Sequence, residues 1–425
     1  MIKKYQKTVL DNGLKIIGHN MPGRQSLSLG IWIKVGGRYE SGNNKGMSHF
    51  LEHLLFKGSK HYSCRKIKES IEGVGGSLNG FTSEEFTCYL VKIPGRYLEL
   101  ALSILSDMVI KPDLASCEIE KEKTVVLEEI KMYRDLPQSF VNELLDGLLW
   151  PGQPLGAPVI GTVDSVNNIR REELVLFKES HYTPSNIVVC AAGMLDYDKL
   201  ARGTNKLYSG IKRKSPNMFS GVSEDQLACG LQVFAKDTEQ THMALGFHGL
   251  RRDHSMRHAL GIMHIILGAN MSSRLFNELR EKRGLTYEIG THIRYFHDTG
   301  SFNVHAGIDN GKVADALTLI LKELSKIKST LVKEDEFRRA KEFYVGQLTL
   351  SLEDTLDHML WIGESASAID KTYSLEQVVS QIKQVGPEDV RMVARDIFKE
   401  NKLNLALIGP LKEKEDTIKE RLHFN

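Results

Sequence analysis

No run of eighteen apolar residues occurs in the chain, which excludes a conventional membrane-spanning helix. Cysteine is scarce. The five residues Cys64, Cys88, Cys117, Cys190 and Cys229 are scattered, odd in number and without a C-x-x-C pair. That usage fits reduced thiols of a cytosolic protein rather than a disulfide frame. An excess of either charge is missing too: 56 Lys and Arg stand against 54 Asp and Glu, so a net charge of +2 gives no electrostatic case for nucleic acid. Neither a G-x-x-x-x-G-K-[ST] phosphate loop nor a dinucleotide fingerprint is present. The opening "MIKKYQKTVLDNGLKII" is basic but has no apolar core, so no secretory signal is expected and the cytoplasm is the expected compartment.

What is present is a core. Of 425 residues, 41% are hydrophobic and 26% charged, enough for two or more domains. Strand and helix patterns alternate. "TVLDNGLKIIGH" reads as a hairpin turning at Asp11-Asn12-Gly13, "LSLGIWIKVGG" and "EFTCYLVKI" as strands, and "RYLELALSILSDMV" and "CEIEKEKTVVLEEIKMYRD" as amphipathic helices.

The chain also repeats itself. Displaced by 216 residues, "FTCYLVKIPGRYLELALSIL" (86–105) falls on "FNVHAGIDNGKVADALTLIL" (302–321), pairing Phe86 with Phe302 and Gly95 with Gly311. The same offset lays "IVVCAAGML" (187–195) on "LNLALIGPL" (403–411). Two α/β halves of like topology follow: an N-terminal half over 1–212, a polar linker over 213–224 and a C-terminal half over 225–425. The basic "KRK" run (212–214), which opens this junction, is read as solvated linker, not a nucleic-acid patch.

The chemistry concentrates in "HFLEHLLFKG" (49–58). At about 100° per residue, His49 and His53 lie roughly 40° apart, and Glu52 lies about 60° to the other side of His49. Phe50, Leu51, Leu54 and Leu55 fill the remaining circumference, so three ionisable groups share one stripe of an otherwise greasy helix. Buried polar groups need partners, and imidazoles four residues apart are well spaced to grip one metal ion. The bland alternative is a chance cluster on a half-exposed helix. In the second half the counterpart is "ALGIMHIILG" (259–268), where Ala259, Ile262 and Met263 stand in place of His49, Glu52 and His53. The fold is duplicated and the candidate ligands occur once.

A catalytic zinc takes three protein ligands and keeps a fourth position open. Glu122 and Glu129, seven residues apart, lie on one helix face beside Ile119, Val126 and Ile130, whereas Glu128 points about 100° away. Periodicity favours Glu129 as third ligand with Glu122 beside it, and a solvated face for Glu118, Glu120 and Glu128.

With these residues in place the chain resembles the pitrilysin and insulysin family of inverted-motif (H-x-x-E-H) zinc metallopeptidases, of compact bacterial type. The likeness runs through "GGRYESGNNKGMSHFLEHLLFKG", "GGSLNGFTSEEFTCY", "VVLEEI", "PLGAPVIGT", "HYTPSNIVV" and "SSRLFNELREKRGLTYEIG". The resemblance implies one Zn²⁺ per chain held by His49, His53 and Glu129, with Glu52 as general base and Glu122 as an accessory carboxylate. It places on Arg280 and Tyr287 the pair that steadies the oxyanion and contacts substrate; without it, that stretch reads as an ordinary amphipathic helix ending at Gly284. It also implies a substrate contact at Asn79, where a turn-stabilising role is the competing reading and where Gly80 replaces the family's common Ala. The implied architecture is a clamshell of two α/β halves, each a sheet backed by helices, around an internal chamber. The implied activity is endopeptidase cleavage of extended or unfolded peptides, with no nucleic-acid or membrane partner and a possible homodimer. Two rival readings are a non-catalytic or partner-dependent subunit of the same fold, and a metal-dependent enzyme acting on another bond.

Overall fold

The computed structural model describes residues 5–215, 218–411 and 415–424. Pro216 and Asn217 of the expected linker, and residues 1–4 of the basic opening, lie outside the described residues. The chain forms two homologous α/β units, each a sheet backed by helices. The first comprises Met1–Lys131, Ala157–Ser220 and Thr349–Glu376, and the second Met132–Gly156, Gly221–Leu348 and Gln377–Asn425.

In the first unit six strands form one sheet: β1 (Gln6–Val9), β2 (Lys15–Asn20), β3 (Ser26–Ile33), β4 (Ser77–Thr82), β5 (Thr87–Pro94) and β6 (Ile187–Gly193), in the order β1-β2-β6-β3-β5-β4. The β1–β2 hairpin turns where Asp-Asn-Gly predicts it. Gly13 adopts φ +91°, and the Asn12 side chain accepts from Leu14 N–H at 3.2 Å. Strand β3 is buried at nearly every position because the sheet is covered on both faces. Leu27, Leu29, Ile31 and Ile33 enter one core with Phe50, Leu51, Leu54 and Leu55, while Trp32 enters another with Met359, Ile362 and Ala366.

The second unit repeats this plan with β7 (Gly230–Ala235), β8 (Gln240–His248), β9 (Thr286–Tyr295), β10 (Gly300–Asp309) and β11 (Asn404–Gly409), in the order β7-β11-β8-β10-β9. Strand for strand, β2-β6-β3-β5-β4 corresponds to β7-β11-β8-β10-β9. The parallel pair β2–β6 is matched by β7–β11, and the remaining pairs are antiparallel in both sheets. Residues 259–268, the counterpart of the histidine stretch, lie on or end a helix in which Ala259, Ile262 and Met263 are buried core.

One feature of the duplication is not visible in the repeat itself. Helix Pro137–Leu149 comes from the first part of the sequence but packs on β8 and β11, through Val141, Leu145 and Leu149 against Ala244, Ala406 and Ile408. Helix Thr355–Ile369 comes from the last part but packs on β3 and β6. Displaced by 216 residues, Met132–Gly156 falls on 348–372, which starts one residue before the Thr349–Glu376 segment of the first unit and ends four short of it. Each copy thus gives the corresponding helix to the other unit's sheet.

Candidate metal centre

The histidine helix spans Met47–Leu55, with Phe50, Leu51, Leu54 and Leu55 buried. Burial of such side chains is worth roughly 1.5–3 kcal/mol each and anchors the helix on the sheet. The chain enters it through Gly46 at φ +86°, where a Cβ would lie 2.6 Å from Ile160 O. Gly161, at φ +85°, packs back against the same turn, with an added Cβ 2.8 Å from Lys45 O. Two left-handed glycines in contact explain why both "KGM" and "VIGT" carry glycine.

The second element is the glutamate helix Ser116–Asp135, on which Ile119, Glu122, Val126 and Ile130 are buried. Glu118, Glu120 and Glu128 pair with Lys121, Lys123 and Lys131 on the solvent side. The structure brings together His49, His53 and Glu129, each offering one ligand atom within 4.8 Å of the others. Glu129 Oε2 stands 3.8 Å from His49 Nε2 and 3.6 Å from His53 Nε2. Among the described residues this is the one group of three or more His, Cys, Asp or Glu placed so closely.

The surroundings fit a divalent cation. Burial, then the neighbouring His53, holds His49 down at about 4, so its imidazole is neutral at physiological pH and free to donate a lone pair. His53 Nδ1 donates to Glu122 Oε1 at 2.9 Å, which in the neutral ring puts the lone pair on Nε2, the Glu129 side. Although burial opposes it, His53 is raised by the Glu122 hydrogen bond and by the charges of Glu52, Glu129 and Glu122. Three carboxylates against the single ammonium of Lys57, 2.5 Å from Glu122 Oε2, leave a local excess of negative charge that a metal ion would balance. Burial works against ionised Glu122, but hydrogen bonds from His53 and Lys57 keep it below the ordinary range.

Glu52 is 7% exposed on the same stripe, and burial lifts it to about 7. A group there can take up and return a proton near neutrality. Strand β4, the outer strand of its sheet, passes directly over it: a Cβ at position 80 would lie 2.5 Å from Glu52 Oε1 and 2.9 Å from the Phe56 ring. Asn79 is exposed, and its side-chain oxygen accepts from Gly80 N–H at 2.8 Å, the local bond of the competing reading.

Arg280 and Tyr287 belong to the second unit, and the structure brings these two together. The Arg280 guanidinium lies 4.9 Å from the centre of the Tyr287 ring and 4.7 Å from that of Phe276. Arg280 sits in a π-helical turn, Phe276–Glu281, and Tyr287 is 75% exposed at the start of β9.

Two residues escape sequence reasoning. Lys57 had a signal, since four residues after His53 it falls on the same helical stripe. Glu40 had none: its carboxylate accepts Gly46 N–H at 2.7 Å and Ser48 N–H at 2.6 Å, doing the work of a helix cap from outside the cap position. His264 bonds to Thr291 at 2.6 Å, and His181 is buried against Phe177.

The family model described as Insulinase (Peptidase family M16) matches residues 15–163, and that described as Peptidase M16 inactive domain matches residues 168–344. An uncharacterized zinc protease of Streptomyces coelicolor is 36% identical over 424 residues, covering 98% of this chain and 92% of its own. One from Bacillus subtilis is 33% identical over 410 residues, covering 96% and 98%. The fold is that of a protease from Helicobacter pylori, at TM-score 0.89 and 22% identity over 96% of this chain and 100% of that one. It is also that of a chain of Complex III2 from Candida albicans, at TM-score 0.85 and 19% identity over 98% and 99%.

Proposed function

The chain belongs to the insulinase family, peptidase family M16, and from that premise we propose that it is a zinc endopeptidase acting on extended or unfolded peptides. Its relatives are named zinc proteases, which supports a peptidase role with zinc as cofactor. The observation that carries the finer reading is the convergence of His49, His53 and Glu129, with Glu52 buried on the same stripe.

In this reading His49, His53 and Glu129 hold the ion. When bound, zinc supplies Lewis-acid polarisation of a carbonyl and eases deprotonation of water. Glu52 takes a proton from the attacking water as its oxygen adds to the scissile carbonyl carbon. It then returns that proton to the amide nitrogen as the C–N bond breaks. Glu122 fixes the tautomer and ring plane of His53. Arg280 and Tyr287 donate hydrogen bonds to the oxyanion. The free edge of β4, beside Glu52, receives the peptide as an added strand, with Asn79 touching it. The proposal includes enclosure of that peptide between the two units, action in the cytoplasm and assembly as a homodimer. Five free cysteines support the compartment, and no helix among the described residues is long and apolar enough to cross a membrane.

The occurrence of this fold in Complex III2 favours one rival, a subunit that binds or assembles without cutting. An unfolded test polypeptide separates the two when wild type and Glu52→Gln are compared at equal zinc content, with products read by mass spectrometry. Cleavage by wild type alone is expected, with the variant slower by about 10²–10⁴-fold. Zinc-loaded wild type that cuts nothing would favour the binding subunit.

A further inference from the structure

His49 and His53 are held in unlike ways. His53 has Glu122 on its Nδ1 at 2.9 Å, the usual means by which a ligating imidazole is oriented. His49 Nδ1 is buried and has no hydrogen-bond partner. Packing and the backbone beneath it must therefore set the direction of its Nε2. That backbone is the first turn of the histidine helix, whose N-terminal residue Gly46 offers no side-chain cap.

The missing cap comes from Glu40, 4% exposed, through its bonds to Gly46 N–H and Ser48 N–H. Glu40 is itself fixed. It follows the short turn Gly37–Tyr39, whose Gly37 N–H and Arg38 N–H donate to Ser83 O at 3.2 Å and Glu84 O at 2.8 Å. Arg38 locks the same contact by pairing with Glu85 at 2.7 Å, both side chains almost fully buried. A continuous set of bonds therefore runs from the loop after β4, through Arg38 and Glu40, to the amide next to His49.

We propose that Glu40 is a positioning residue for the metal centre, acting on His49 through the first turn of its helix as Glu122 acts on His53 through the ring. The inference rests on the assignment of His49 as a ligand. It does not depend on which bond the enzyme cleaves.

The test compares wild type, Glu40→Ala and Glu40→Gln as full chains. Zinc affinity is measured by chelator competition, the visible absorption of the cobalt-substituted protein reports ligand geometry, and kcat and KM are measured on an unfolded peptide. Glu40→Ala is expected to weaken zinc about tenfold or more, to alter the cobalt bands and to lower kcat with KM little changed. Glu40→Gln keeps an acceptor oxygen and recovers part of each loss; it also serves alone should the alanine variant not fold. A lower melting temperature with wild-type zinc affinity and an unchanged cobalt spectrum would overturn the proposal, leaving Glu40 a plain helix cap. If wild type cuts no peptide while both variants still weaken zinc and shift the cobalt bands, the positioning role stands and the peptidase reading falls.

Discussion

Glu122 Oε1 stands 2.9 Å from His53 Nδ1, and the other oxygen of the same carboxylate stands 2.5 Å from Lys57 Nζ. One buried acid thus couples a proposed ligand to a lysine four residues further along. Removing its charge in Glu122→Gln keeps the shape but weakens both bonds. Zinc affinity should fall about 10–100-fold in chelator competition. Lys57→Met does something different. It strands a carboxylate that is 3% exposed, so the melting temperature of the metal-free protein should drop further than in Glu122→Gln. Unchanged zinc affinity in Glu122→Gln would mean that the carboxylate serves packing only.

Tyr287 separates chemistry from stability because it is 75% exposed, so its hydroxyl has little to do with folding. Tyr287→Phe should leave the melting curve within experimental error and still lower kcat by about 10²-fold, the scale for losing one oxyanion donor. A KM effect with kcat intact would reassign Tyr287 to substrate binding alone.

The histidine stripe was legible because a helix has a fixed period. His49, Glu52 and His53 can share a face in no other regular structure, and the seven-residue spacing of Glu122 and Glu129 carries the same information. The duplicated sheets were legible through the 216-residue offset. The exchange of Pro137–Leu149 and Thr355–Ile369 was not, because an amphipathic helix fits any sheet face of matching shape and its sequence does not say which sheet it will cover. Glu40 was hidden for a related reason. Caps are sought at the residue that begins the helix, and here Gly46 occupies that place while the carboxylate arrives from six residues upstream.

Gly80 lies beside Glu52, with no room for a Cβ, at a position where the family commonly carries alanine. In Gly80→Ala the new methyl would press on the Glu52 carboxylate end and on the Phe56 ring. The flexible Glu52 can yield, so the variant should fold with near wild-type stability. Its carboxylate, however, would be displaced, and a shift of about 1 Å at a reacting group can cost roughly 10²-fold. The expected result is a loss in kcat with zinc content unchanged. Wild-type kcat would show that the site tolerates either residue and that Glu52 has slack.

The second unit carries an acid-sensitive element in helix Arg257–Leu267. Burial holds His258 and His264 at about 4, assisted at His258 by Arg257 and at His264 by His292 and His305. His258 Nε2 donates to Gln381 Oε1 at 2.9 Å, its Nδ1 lies 3.4 Å from the Tyr344 hydroxyl, and His264 is bonded to Thr291. Both rings are neutral in the folded state, whereas in the unfolded chain they protonate near the ordinary imidazole value of 6.5. The unfolded state therefore binds more protons between the two values. Their contribution is present in full above pH 6.5, declines as the pH falls, and is gone below about 4. Each histidine can account for up to roughly 3 kcal/mol, a large share of a typical domain's stability. Urea midpoints should thus fall steeply from pH 7 to pH 4.5 in wild type and less steeply in His264→Leu. The leucine removes the titrating ring and leaves Thr291 Oγ1 its bond to the backbone carbonyl of residue 264 at 3.2 Å. Equal slopes in the two proteins would place the acid sensitivity elsewhere, with His49 the next group to examine because burial holds it down to about 4 as well.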